Sequence, residues 1–309
     1  MVVFVGFLLF LGYGFDRFAV GTGNFVFPIG TLTAFGVGSV SALSSYYSGD
    51  RAVLFSTGAV PMDAALSARA SEDDALKLRQ LDNVVEEMSI AAGLPKPKVF
   101  IIPDPDPNAL ATGRDPEHAS IAVTRGLLDA VTRDELQGVV AHELSHVRNL
   151  DIRLMTVIAA MVGAIALLSD WTARGLRHTS AGNGSGRGRG RNKDGGAVVL
   201  LGLWIIAILL APLVSQMLAM MVSRRREYLA DASGAELTRN PLALARALEK
   251  IDAAHAPTEA VKRGTAHLCI ADPMGRVMGV RQGFVPDLLA SHPPMPNRIA
   301  ALRQMGFQE

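Results

Sequence analysis

The 309-residue chain holds a single cysteine, Cys269. An intramolecular disulfide and any cysteine-rich zinc site are therefore excluded. The scarcity fits a reducing compartment, and Cys269 itself reads as a small buried apolar residue. An excess of charge is also missing. The formal net charge is +1, so no global electrostatic case exists for a nucleic-acid partner. The apolar start of the chain lacks the basic region and small-residue cleavage site of a signal peptide. The apolar runs hold almost no ionisable residues, which disfavours a transporter, whose path needs them.

What the chain has in quantity is apolar surface: 49% of residues are hydrophobic and mean hydropathy is +0.26. About 20 apolar residues span a bilayer. Residues 18–49 carry no charge, and 25–47 is the strongest candidate span despite Pro28 and its glycines. Residues 195–223 are likewise uncharged, with 198–222 as the apolar core. Residues 154–169 are apolar but only 16 long, and 1–16 reads as a shorter first membrane helix. The expectation is about four membrane helices, with 1–50 as an N-terminal membrane part and 152–222 as a hairpin. The hairpin's loop, 172–196, is rich in Gly and Arg and reads as a disordered, solvated linker.

Residues 142–146 read His-Glu-Leu-Ser-His. On a helix, His142 and His146 share one face a turn apart, so two imidazoles can converge on one zinc. Glu143 lies beside them, placed to act as general base on a bound water whose pKa zinc lowers towards about 7. The alternative is a surface helix with two unrelated histidines. The context weakens it: Thr132 followed by Glu135 is a capping box, and Leu136, Val139, Val140 and Leu144 continue at helical spacing.

A third ligand is needed, and Glu227 is the candidate. Glu227 and Asp231 are four apart and share a helical face. Glu227 would complete a His2Glu set with one open position, and Asp231 would accept a hydrogen bond from a ligand imidazole, His142 by preference. The alternative is a solvated acidic pair balancing Arg224, Arg225 and Arg226. Sharing one metal would put the histidines and Glu227 on one side of the membrane. Charge does not settle which side: Arg174, Arg177, Arg187, Arg189, Arg191 and Lys193 in the loop nearly match Arg51, Arg148, Arg153 and Arg224 to Arg226 at the catalytic flanks.

His-Glu-Leu-Ser-His followed by Glu-Tyr-Leu-Ala-Asp resembles the HtpX-type membrane zinc endopeptidases, relatives of the CAAX prenyl protease. The likeness runs from about residue 60 to the C-terminus. It takes in Pro107-Asn108-Ala109-Leu110-Ala111-Thr112-Gly113 and Ser291-His292-Pro293-Pro294 with Asn297-Arg298-Ile299. It implies one zinc per subunit on His142, His146 and Glu227. It also implies a multi-pass protein of the bacterial inner membrane, its catalytic domain facing the cytoplasm. The implied role is quality control of misfolded or damaged membrane proteins, so the expected partners are such polypeptides and the lipid bilayer. It further implies that His292 and Arg298 approach the active site, where either could donate to a developing oxyanion.

Residues 74–92 read as an amphipathic helix with Leu78, Leu81, Val85, Met88 and Ala92 inward and Gly93 as C-cap. Residues 98–102 and 120–124 read as strands, 241–253 as a helix and 297–305 as a last short helix. Between the strands, Asn108, Ala109 and Ala111 lie in an extended stretch. Composition fits a plain hairpin strand and a substrate-pairing edge equally; the resemblance favours the edge. His118, His178, His255 and His267 read as structural or exposed. The expected fold is α+β and mostly helical: a zincin-like domain with a small sheet, formed by 60–151 and 223–309, plus the membrane helices. A narrowly specific CAAX-type protease and a non-catalytic zinc-bearing scaffold are the competing readings.

Overall fold

The computed structural model describes residues 5–6, 9, 13, 16, 29–68, 71–158, 224–254, 258, 260–261, 265, 268–271 and 293–306. His292, the loop 172–196 and the segment 198–222 lie outside the described residues, as does most of 1–16 and of 154–169. The chain divides into two units, Met1–Ser45 with Met161–Met217 and Tyr46–Ala160 with Leu218–Glu309. All of the site described below belongs to the second.

Helix α1, Ile29–Ser56, covers most of the expected span 25–47 but runs on past Asp50 and Arg51. Its glycines, serines and threonines dilute its apolar content. Among the described residues no helix is long and apolar enough to cross a membrane.

The sheet has the order β1-β2-β4-β3. Its strands are β1 Val60–Pro61, β2 Lys98–Ile102, β3 Ala109–Thr112 and β4 Ser120–Thr124. β1 runs antiparallel to β2, β2 parallel to β4, and β3 antiparallel to β4, with Ala111 opposite Ile121. β4 is flanked on both sides, and all five of its residues are buried, as their near-continuous apolar run requires.

The helices that follow α1 are α2 Met62–Ser67, α3 Glu72–Ala92, α4 Arg125–Ala130, α5 Arg133–Arg148, α6 Arg224–Thr238, α7 Pro241–Ala253 and α8 Met295–Gly306. A further helical stretch occupies 151–158. The caps follow the sequence signals. Ser71 accepts from the Asp74 amide, and Gly93 closes α3 at φ 66°, a conformation a Cβ disfavours. Leu78, Leu81, Val84 and Val85 of α3 pack with Leu136, Val139, Val140 and Leu144 of α5 and with Leu244, Leu248 and Ile251 of α7. Burying each such side chain contributes about 1.5–3 kcal/mol.

Two glycines set how closely the helices approach. A Cβ on Gly138 would stand 3.0 Å from Leu244 Cα, and one on Gly234 would stand 3.0 Å from the His142 backbone nitrogen. The second contact presses α6 directly against the histidine-bearing turn of α5.

Candidate metal centre

Helix α5 begins with both halves of its capping box in place. The Glu135 amide donates to Thr132 Oγ1 at 3.4 Å, and Glu135 Oε2 accepts from the Thr132 amide at 2.8 Å. Lys250 Nζ, on α7, reaches the same Oε2 at 2.6 Å. Two turns on, every residue from Gly138 to Val147 is buried. This is a helix walled in on all sides, so His142, Glu143 and His146 are buried groups that must find partners inside the protein.

The partners arrive on α6. Glu227 and Asp231 are 1% and 2% exposed, which removes the alternative of a solvated acidic pair. His142 Nε2 and His146 Nε2 face each other at 3.3 Å, with their rings nearly perpendicular. Glu227 closes the set, with Oε1 at 3.6 Å from His146 Nε2 and Oε2 at 3.8 Å from His142 Nε2. Zinc donors lie about 2.0–2.2 Å from a tetrahedral ion, hence about 3.3–3.6 Å from one another. The three residues fit such an ion in donor type, and their ligand atoms, all within 4.8 Å of one another, lie close to that spacing.

Behind the ligands, Asp231 Oδ1 lies 2.9 Å from His142 Nδ1. The pair is in hydrogen-bonding range though not ideally aligned. Arg298, on α8, holds Asp231 with a two-pronged bond, Nε to Oδ2 and Nη2 to Oδ1, each 2.7 Å. Its Nη1 donates to the Ile270 carbonyl at 2.8 Å and stands 3.3 Å from Glu227 Oε2. On the other side, His146 Nδ1 is 3.3 Å from Asp151 Oδ2, and Asp151 Oδ1 accepts from Arg226 at 2.9 Å.

Electrostatics follow from this packing. Burial pushes Glu143 up to about 7; the Glu227 charge adds to that, while His146, Arg298 and the Ala111 amide oppose it. Burial would also raise Asp231, but the Arg298 guanidinium outweighs it and holds the carboxyl down at about 2. His142 is lowered, chiefly by burial, against the pull of Asp231. Burial would lower His146 too, yet the contact with Asp151 and the charges of Glu227 and Glu143 leave it raised. Among the described residues, four carboxylates (Glu143, Asp151, Glu227, Asp231) here face two guanidiniums, Arg226 and Arg298. A divalent cation offsets that imbalance, and metal binding favours neutral imidazoles.

A model of peptidase family M48 matches residues 75–306. The chain belongs to peptidase family M48. It is a metallopeptidase, and the buried His142, His146 and Glu227 fit a metal. Among curated relatives, it is 44% identical to a protease HtpX homolog of Caldanaerobacter subterraneus subsp. tengcongensis, over 84% of this chain and 80% of that one. It is 46% identical to a protease HtpX homolog of Levilactobacillus brevis, over 75% of each. The crystal structure of S. mikatae Ste24p aligns with a TM-score of 0.49 and 20% identity, over 97% of this chain and 63% of that one.

The residues expected to touch substrate fall in three places. Arg298 is buried with its donors engaged by Asp231, Ile270 and Glu227. It braces the M48 centre and is not a free oxyanion donor, because a buried guanidinium between two carboxylates keeps its hydrogen bonds there. Asn108 is likewise a brace. Its amide donates to Thr258 Oγ1 at 3.2 Å and to the Ala271 carbonyl at 3.1 Å, as a buried amide must. Ala109 and Ala111 do lie on the terminal strand of the sheet. The Ala109 carbonyl already accepts from the Ile270 amide at 2.9 Å, whereas the Ala111 amide acts on Glu143. Cys269 is buried, as expected, and His118 is exposed beside Asp115. Sequence reasoning missed Asp151 and Arg226. The available signal was an acid five residues beyond the second histidine, but its use depends on a turn that spacing alone does not reveal.

Proposed function

We propose that this M48 peptidase is a membrane-associated zinc endopeptidase in which His142, His146 and Glu227 hold the ion and Glu143 is the general base. The supporting observation is the convergence of two imidazole nitrogens and one carboxylate, all buried, their ligand atoms within 4.8 Å of one another. Zinc, when bound there, supplies Lewis-acid polarisation of the scissile carbonyl and of water.

The chain's own residues supply the rest. Glu143 Oε2 has no hydrogen-bond partner among the described residues, and it takes the proton of the attacking water and passes it to the leaving amine. A base pushed up to about 7 is matched to such two-way transfer near neutral pH. Asp231 fixes the His142 ring from behind, and Arg298 fixes Asp231. Ala111, on the terminal strand beside Glu143, is the proposed point of approach for an extended substrate backbone. His292, next to the Pro293 that leads into α8, is the proposed oxyanion donor.

The membrane reading rests on the uncharged runs of the sequence and on α1, where Ile29, Leu32, Phe35, Val40 and Leu43 stand exposed. So many large apolar side chains on one helix call for a non-aqueous neighbour. The resemblance to the HtpX-type endopeptidases is the ground for the rest of the proposal: a bacterial inner-membrane protein with a cytoplasm-facing active site that serves quality control of damaged membrane proteins. An active site beside the bilayer suits substrates held at the same depth.

The test is to purify wild type and Glu143→Gln in detergent with controlled zinc and to assay both on an unfolded protein. Zinc-dependent cleavage by wild type alone supports the reading. No cleavage by either, with one zinc bound per chain, would replace it with a zinc-bearing scaffold.

A further inference from the structure

Two histidine–aspartate–arginine chains meet at the centre. One, His142–Asp231–Arg298, includes the carboxylate that the sequence marks by its spacing from Glu227. The other, His146–Asp151–Arg226, is made only by the fold. His146 turns Nε2 towards His142 and Glu227, and its opposite nitrogen, Nδ1, lies 3.3 Å from Asp151 Oδ2. The other oxygen of Asp151 is held by Arg226 at 2.9 Å. Asp151 is 8% exposed at its side chain and Arg226 34%, so the carboxylate works in a largely dry setting.

The backbone is bent to make this contact. Five residues along an unbroken helix, Asp151 would point about 140° away from His146. Instead α5 ends at Arg148, and Leu150 adopts φ 59°. That left-handed conformation costs a non-glycine residue about 1–2 kcal/mol. The reversal starts a new helical stretch with Asp151 as its first residue and its carboxylate facing back to the imidazole. The same stretch is pinned to the sheet edge, where Thr156 Oγ1 accepts from the Gly113 amide at 2.9 Å and lies 2.8 Å from Thr112 Oγ1. Arg226 is the residue before Glu227, so its bond to Asp151 ties the helix carrying one ligand to the turn that aims another.

We propose that Asp151 is a positioning residue for the metal centre: it fixes the tautomer and orientation of His146 so that Nε2 faces the ion, and Arg226 holds Asp151 in place. This rests on the metal reading above. A ring whose far nitrogen donates to a carboxylate presents the other nitrogen as a lone pair, and losing such a partner weakens metal affinity about 10–100-fold.

The experiment is zinc titration of the full chain in detergent against a competing chelator, with cobalt(II) absorption as a report on ligand geometry. Wild type should bind one ion per chain. If it binds none, the metal reading itself falls, and this inference with it. Given wild-type binding, Asp151→Asn should weaken affinity by about 10–100-fold and alter the cobalt spectrum. Wild-type affinity and spectrum in Asp151→Asn would overturn the proposal. Arg226, partly exposed, gives a second pair of variants should Asp151→Asn fail to fold. Arg226→Gln should lower the affinity several-fold, and Arg226→Lys should keep most of it. Affinity unchanged in both Arg226 variants would sink the role given to Arg226, and the proposal as stated.

Discussion

Replacing Arg298 with methionine tests the electrostatic account of the centre most directly. The guanidinium is fully buried, makes two 2.7 Å bonds to Asp231 and one to the Ile270 carbonyl, and faces Glu227 at 3.3 Å. Methionine keeps most of the stem's volume, so packing loss is small beside the loss of charge. Removing one partner of a buried pair costs about 3–5 kcal/mol, and an orphaned carbonyl adds about 1–3 kcal/mol. The expected destabilisation of the metal-free protein is therefore about 4–8 kcal/mol, a large share of a typical domain's margin.

The pH dependence gives the sign. In wild type, Asp231 is held at about 2, below its unfolded value of about 3.9. Its contribution, about 2–3 kcal/mol, is present above pH 4 and is lost as pH falls through 2. Without Arg298, burial dominates and Asp231 moves above its unfolded value. Its effect then reverses: the variant gains on wild type as pH falls and Asp231 becomes neutral. Melting temperatures of the full chain in detergent and chelator, from pH 4 to 8, read this out. The double variant Asp231→Asn with Arg298→Met should be less destabilised than Arg298→Met alone, because the orphaned charge is gone. A loss below about 1 kcal/mol in Arg298→Met, or simple additivity in the double variant, would refute the reasoning.

Three further outcomes are expected. Gly234→Ala puts a Cβ 3.0 Å from the His142 nitrogen; separating α5 from α6 should cost about 1–3 kcal/mol and weaken zinc binding, measured by melting and chelator competition. Glu135→Gln removes the charge that Lys250 pairs with; against burial, Lys250 and the Thr132 hydrogen bonds keep this carboxyl below its usual range. It should cost about 1 kcal/mol near neutral pH, with the gap to wild type closing as pH falls through the depressed value; equal loss at all pH would contradict that. Thr156→Val strips the partner from Thr112 and the Gly113 amide and should cost about 1–3 kcal/mol, with faster amide exchange at Gly113 as the local sign.

Local order was written plainly in the chain. The capping box at Thr132 and Glu135 starts α5 where expected, strands β2 and β4 have the expected bounds, and α7 runs from Pro241 to Ala253. These elements depend on caps, turn residues and apolar period, which act over a few residues. Helices α3 and α8 extend two residues and three residues beyond their expected limits, at Glu72 and Gly306 among others, because fraying ends answer to packing as well as sequence. The pairing of His142 with His146, and of Glu227 with Asp231, follows from helical periodicity alone. What periodicity cannot supply is the contact between helices far apart in the chain. Whether Glu227 meets the histidines depends on how closely α6 packs on α5, and Gly234 permits that approach. Only the tertiary structure shows Arg298 as a buried clamp, Asn108 as a brace and Asp151 as the neighbour of His146. Each of those roles is decided by which charges and dipoles must satisfy one another once water is excluded, and that is a property of the folded interior rather than of any stretch of sequence.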